Sequence, residues 1–360
     1  MWNRRARARS PSIILAGDAA ALLSTPPPPV DAAAAEAALR RHYGIEGRAR
    51  PLAAERDRNF MMSLEDSARR VFKVYHEADN AAVRDFQNGV LPHMERVGVA
   101  CTVPRLIATR EGARDCEIAG EGRTYRAILI SVVPGEARDL SDAGPALRRD
   151  LGRAAAEIGT ALAGYDHLQA CRILLWDPMQ LGRLAGAVEL IAGPAPLAGR
   201  RGRAVRRRGP PPGARLAGPG HPQRHEREQR FRRGRAGQRV IDFGDMVRAP
   251  RINEIAIAAN YAVAEDRDPL AAIGDVLDGY DARRPLEEAE VELLFDLVLA
   301  RLAVRMLMYR WRAELFPENR AYILRNDTTG ARLADALAGP APGAGRGAIL
   351  ERWTPRRRRP

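Results

Sequence analysis

One residue type is almost missing from this chain. Of its 58 lysine and arginine residues, a single one is lysine, Lys73. Arginine everywhere else suggests a GC-rich coding bias. An ammonium kept against that bias points to a place where a compact point charge does what a planar guanidinium does not. Cysteine is scarce as well. Cys101, Cys116 and Cys171 are odd in number and widely spaced. They have neither the pattern of a disulfide framework nor metal-ligand spacing, and a reducing cytoplasm is the simplest home for them. No apolar run approaches the roughly 18–20 residues that cross a bilayer, so no membrane partner is expected.

What is present in excess is positive charge, and it is unevenly spread. The net charge of +13 taken alone suggests a polyanionic partner. Residues 199–237 hold 13 arginines against two acids, Glu226 and Glu228, and carry +11 of that charge. The remainder is close to neutral. The basic window contains one aromatic residue, Phe231, and no nucleic-acid-binding pattern around it. Nucleic acid therefore stays an alternative partner only, reached through this insert.

At 360 residues and 46% apolar content, the chain can build two or three domains' worth of core. Residues 1–30 resemble a secretion signal, but Asp18 interrupts the apolar patch and a proline run follows, so they read as a disordered leader. "DAAAAEAALRRHYG" (31–44) reads as a helix ended by Gly44. "RNFMMSL" and "RRVFKVY", separated by "EDSA", read as a hairpin. A helix follows over 80–95, then strands at "VPRLIAT" and "TYRAILISVV". Beyond residue 140 the pattern turns helical: 142–167, "INEIAIAANYAVAE", "PLAAIGDVLDGYDA" and "EAEVELLFDLVLARLAVRMLMYRWRAELF" all carry apolar residues at helical spacing. "VIDFGDMV" reads as a strand entering a turn. Glu287, Glu288 and Glu290 read as a solvated helix start. The tail over 336–360 reads as loose.

The order of "ERDRNF" (55–60), "VFKVY" (71–75), "DFQNGVL" (85–91), "VPG" (133–135), "LAGYDH" (162–167), "LLWD" (174–177) and "VIDFGDM" (240–246) resembles the aminoglycoside phosphotransferase superfamily. Within it the chain is most like the hydroxylysine-kinase-like phosphotransferases, which in bacteria are often fused to a class III aminotransferase. The resemblance covers about 40–330. It implies an α+β, two-lobe, protein-kinase-like fold: a small antiparallel β lobe over 31–135 and a larger helical lobe over 136–335. It implies ATP or GTP and Mg2+ as cofactors, and the hydroxyl of a small amino alcohol or hydroxylated amino acid as substrate. By the same resemblance Lys73 holds the nucleotide phosphates. Asn59, Arg58 and the backbone around Asp57 lie in the turn that covers them. Val133 lies in the hinge against the base, and Asp242 ligates the metal, with Asp245 beside it. Related kinases pair the lysine with a helix acid, for which this register offers Asp85 or Gln87.

One part of that pattern is missing. The family places H-x-D-x-x-x-x-N before the metal-binding turn: the Asp orients the substrate hydroxyl and the Asn holds a metal. This chain has, from His221 to Arg230, the text "HPQRHEREQR", with no Asp and no Asn. Residues 195–239 show no helix or strand period, and so read as a disordered Arg/Pro/Gly-rich insert or as text out of frame. Codons for Gly220 to Phe231 read one nucleotide later permit "VIHNDTSENNV", which contains the motif in register. We therefore expect a frame that shifts near 194–203 and returns near 235–239. As written, the chain is expected to turn over little, with a catalytically dead nucleotide-binding scaffold as the alternative.

Overall fold

Two alternating stretches seed the first lobe. The structure, a computed structural model, describes residues 25–54, 56–135, 143–184, 222–223, 232–234, 237–263, 268–324, 327–338 and 343–357. Helix α1 (Ala32–Ala38) is capped by the Asp31 side chain and runs through a wider turn to Gly44, whose φ of 67° ends it. Strands β1 (Gly47–Leu52), β2 (Arg58–Leu64) and β3 (Arg69–Val74) follow. Helix α2 (Ala81–Val97) comes next, then β4 (Leu106–Ile107), β5 (Cys116–Gly120) and β6 (Arg123–Ser131). The sheet is antiparallel in the order β1-β2-β3-β6-β4, with β5 also on β6. Phe60, Met62, Phe72, Val74 and Leu129 point from its strands onto Ala35, Leu39 and Tyr43. Two strands escaped the sequence reading: β1, whose arginine-rich text hides its period, and the short β5.

Helix α3 (Pro145–Leu162) opens the second lobe. After two 3-10 turns (Leu168–Cys171 and Pro178–Leu184) come the short strands β7 (Pro222–Gln223), β8 (Arg232–Gly234), β9 (Gly237–Arg239) and β10 (Val247–Arg248). They are followed by α4 (Ile252–Ala262), α5 (Pro269–Asp281), α6 (Glu288–Leu315), α7 (Arg320–Ile323), α8 (Asp327–Ala338) and α9 (Ala344–Arg357). Leu151, Ala154, Ile158 and Leu162 of α3 meet Ile255, Ile273, Val276, Leu294 and Val298 in the largest core. Phe86, Val90, Leu91 and Met94 of α2 belong to that same core, so α2 is bound to the helical lobe by its packing. Glu287 and Glu290 form a reciprocal capping box at the start of α6, and Glu290 also takes Arg251.

Helices α3 and α5 approach through two glycines. A Cβ on Gly152 would lie 2.0 Å from the Val276 carbonyl oxygen, and one on Gly279 would lie 1.9 Å from that of Arg149. Backbone cannot retreat from such a contact without separating the helices. Gly279→Ala is expected to cost about 3 kcal/mol or more, read as a lower urea midpoint with m unchanged.

Two expectations need correction. The tail over 336–360 is not loose where it is described: α9 buries Ile349 and Trp353 in the main core, and Arg352 binds Asp275 and Asp278. Its apolar residues are too few for a clear period, yet they have a groove to fill. The strand expected over "VIDFGDMV" ends earlier, at Arg239, and residues 240–246 form the turn itself. Of the stretch 195–239, the described residues contribute β7, paired with β10, and the paired strands β8 and β9; the rest lies outside the described residues. No helix among the described residues is long and apolar enough to cross a membrane.

Candidate active site

Strand alternation decides where the lone lysine points. Phe72 and Val74 are fully buried on the core face of β3, so Lys73 between them projects from the opposite face. Its register partners are Asn59 on β2 and Ile128 on β6. The ammonium lies 3.0 Å from Asp57 Oδ2, in the turn between β1 and β2. The other oxygen, Asp57 Oδ1, accepts the His76 amide at 3.2 Å. Arg56 stands 3.7 Å from Asp57 and donates to Asp79 at 2.9 Å. Burial works to lower the lysine's pKa, but the carboxylates of Asp57 and Asp242 outweigh it, so the group is held above its ordinary value.

The far wall is the turn after β9. Asp242 has φ 70°, in the left-handed region, which aspartate tolerates when its side chain bonds locally. Here Asp242 Oδ1 accepts the Gly244 amide at 3.2 Å. A Cβ on Gly244 would stand 3.3 Å from Lys73 Nζ and 3.4 Å from Asp242 Oδ1. Glycine is what lets the ammonium lie against this turn. The Gly244 carbonyl accepts from Gln87 Nε2 at 3.0 Å and from an Arg172 guanidinium nitrogen at 2.7 Å. Arg172 also lies 5.4 Å over the Phe86 ring. Burial pulls its pKa down, and Asp245 and Asp79 oppose that.

The structure therefore brings Lys73, Asn59, Asp57, Asp242 and Gly244 together. Asn59 Oδ1 is buried there without a hydrogen-bond partner. Arg58 faces away, donating to the Pro28 carbonyl at 3.3 Å. Asp245 sits among Arg56, Arg172 and Asp79 by its electrostatic influence on each. Val133 is buried just after β6. His221 and residues 224–230 lie outside the described residues; their two flanks, β7 and β8, do not. The helix acid does not meet the lysine: Asp85 is exposed and pairs with Arg114 and His167, while Gln87 reaches the turn instead. Arg172 was missed by the sequence reading, since nothing near it in the text marks it.

The donor set can be tested against a metal. Among the described residues no group of three or more His, Cys, Asp and Glu could hold one. Mg2+ rarely needs such a cage; one or two carboxylates completed by phosphate oxygens and water suit it. Asp242, with Asp245 three residues on, fits that mode.

A family model described as a phosphotransferase enzyme family matches residues 48–228. The chain belongs to that family. The match stops inside the arginine-rich window and does not reach Asp242. Hydroxylysine kinase of Xenopus laevis is 38% identical over 91 residues, 25% of this chain and 24% of that protein. The matched segment thus spans about a quarter of that relative, and likewise of the Mus musculus enzyme, at 33% identity. The Danio rerio hydroxylysine kinase aligns more widely, at 24% identity over 82% of this chain and 87% of its own length. The fold is that of an amicoumacin kinase (TM-score 0.59, 13% identity, 78% of this chain and 87% of that one). It is also that of a microcompartment-associated aminopropanol kinase (TM-score 0.59, 15% identity, 87% and 98%). The two-lobe, kinase-like reading of the sequence stands.

Proposed function

We propose that the chain is built as a small-molecule kinase that binds ATP or GTP, with Mg2+, and transfers the terminal phosphoryl group to the hydroxyl of a small amino alcohol or hydroxylated amino acid. The observation that carries this reading is the largely buried Lys73 ammonium lying between Asp57 and the Asp242–Gly244 turn. Phosphoryl transfer is mostly positioning and neutralisation of charge. A single fixed ammonium would meet phosphate oxygens on one side, and Asp242 would hold the metal on the other. When bound, that metal supplies charge neutralisation at the phosphates. Lys73 and the β1–β2 turn orient the nucleotide, and Val133 closes the base end. The amine substrates named for the related enzymes favour an amino alcohol or hydroxylated amino acid as acceptor.

The text from His221 to Arg230 supplies no Asp to orient the acceptor hydroxyl and no Asn for a second metal contact. The chain as written therefore binds nucleotide and turns over little. The test is thermal unfolding with and without Mg-ATP, paired with an assay of ADP release over a panel of amino alcohols and hydroxylated amino acids. Stabilisation without release fits the chain as written. No stabilisation at millimolar nucleotide sinks the reading. Asp242→Asn keeps the bond to the Gly244 amide but loses the charge. It is expected to weaken binding of the Mg-nucleotide about tenfold, ~1.4 kcal/mol, and to leave binding of the metal-free nucleotide nearly unchanged.

A further inference from the structure

A buried ammonium needs a fixed counter-ion, because an unpaired one is expensive to keep from water. Helix α2 provides none to Lys73. Its acids are spent at the surface, Asp85 on Arg114 and His167 and Glu95 on Arg105. Its Gln87 is spent on the Gly244 carbonyl. The counter-ion comes instead from the turn before β2. Asp57 is 6% exposed and held at both oxygens, by Lys73 at 3.0 Å and by the His76 amide at 3.2 Å. Its neighbour Arg56 is itself anchored on Asp79, so Lys73 is not competing with a loose cation for this carboxylate.

We propose that Asp57 is the positioning residue for Lys73: from the β1–β2 turn it fixes the ammonium against the Asp242–Gly244 turn, in the place where nucleotide phosphates are received. This rests on the nucleotide-binding reading above. An ammonium has three donors. One goes to Asp57, and the others are left for the opposite wall and for phosphate oxygens. The charged groups that act on Lys73 are Asp57 and Arg56 from that turn and Asp242 from the far wall. The arrangement divides two tasks. The β1–β2 turn sets the lysine, and α2, through Gln87, sets the metal-binding turn.

Because the chain has one lysine, the pair can be read directly. The folded full-length protein is acylated at one pH, and the Lys73 peptide is followed by mass spectrometry. Asp57→Asn is expected to label about tenfold faster than the wild type, the scale of one lost buried contact of ~1.4 kcal/mol. Asp57→Glu is expected to label near the wild-type rate, and Asp85→Asn to change nothing. Stabilisation by Mg-ATP is expected to shrink in Asp57→Asn and to return in Asp57→Glu. Equal labelling of folded Asp57→Asn and wild type overturns the proposal. So does a larger nucleotide effect in Asp57→Asn, which would make Asp57 a competitor of the phosphates. If Asp57→Asn does not fold, isotope-labelled lysine in the wild type decides: slow exchange of the ammonium protons is expected, and exchange as fast as in free lysine overturns the pairing. A wild type that ignores nucleotide defeats the proposed function while the labelling comparison still judges the pair.

Discussion

Reading the coding DNA one nucleotide later between about codons 200 and 237, and returning to frame after that, is expected to give an active kinase. The rise in phosphoryl transfer should be about a thousandfold or more. The estimate comes from the chemistry of the missing loop. A positioned acid–base group contributes about 10²–10⁴ to rate, and loss of a metal contact adds to that. In the shifted text "VIHNDTSENNV" the His falls at position 222, the Asp at 224 and the Asn at 229. The fold offers both flanks of such a loop. β7 is paired with β10, immediately beyond the Asp242 turn, and the β8–β9 hairpin leads into that turn. Lys73 and Asp242 already face each other across the cleft. On the proposed reading, what is wanting is the Asp that orients the acceptor hydroxyl and the Asn that adds a metal contact. The check is ADP release by the two proteins on the same amino-alcohol panel. A restored protein that binds Mg-ATP as well as the original but transfers no faster would refute the frame reading and leave the scaffold alternative standing.

The parts of the fold that could be read in the text are those whose period is clean. β2 and β3 alternate large apolar residues with polar ones, and α3, α5 and α6 repeat theirs at helical spacing over three turns or more. β1 failed because arginines occupy its outward positions and its core face, Gly47, Ala49 and Pro51, has no large apolar side chain. α9 failed because glycines and arginines outnumber the two side chains, Ile349 and Trp353, that anchor it. In the site, Lys73 and Asp242 were legible for different reasons: one is the sole lysine, and the other sits in a turn of recognisable order. The partnership of Lys73 with Asp57 was not legible. Sixteen positions separate them in the text, and only the β2–β3 register, which sets Asn59 opposite Lys73, brings that turn over the ammonium. Arg172 reaches Gly244 from a segment with no period at all, so only tertiary structure reveals it.

Lys73 itself separates charge from shape. Lys73→Met removes the only lysine ammonium and leaves Asp57 and Asp242 facing each other across the cleft. Taking one partner from a buried ion pair costs about 3–5 kcal/mol. Arg56 stays 3.7 Å from Asp57, and the lysine side chain keeps 15% of its exposure. Both soften the loss, so about 2 kcal/mol is expected, read by urea unfolding. Stabilisation by Mg-ATP, ~1.4 kcal/mol for the wild type at ten times Kd, should vanish. Lys73→Arg keeps the charge and should keep nearly all of the stability. It should still weaken nucleotide binding about tenfold, since a planar fork lacks room beside Gly244 and turns its donors to Asp57. If Lys73→Arg binds nucleotide as the wild type does, the survival of one lysine among so many arginines is a coding accident. If it does not, the cleft between Asp57 and Gly244 is the reason that residue was kept.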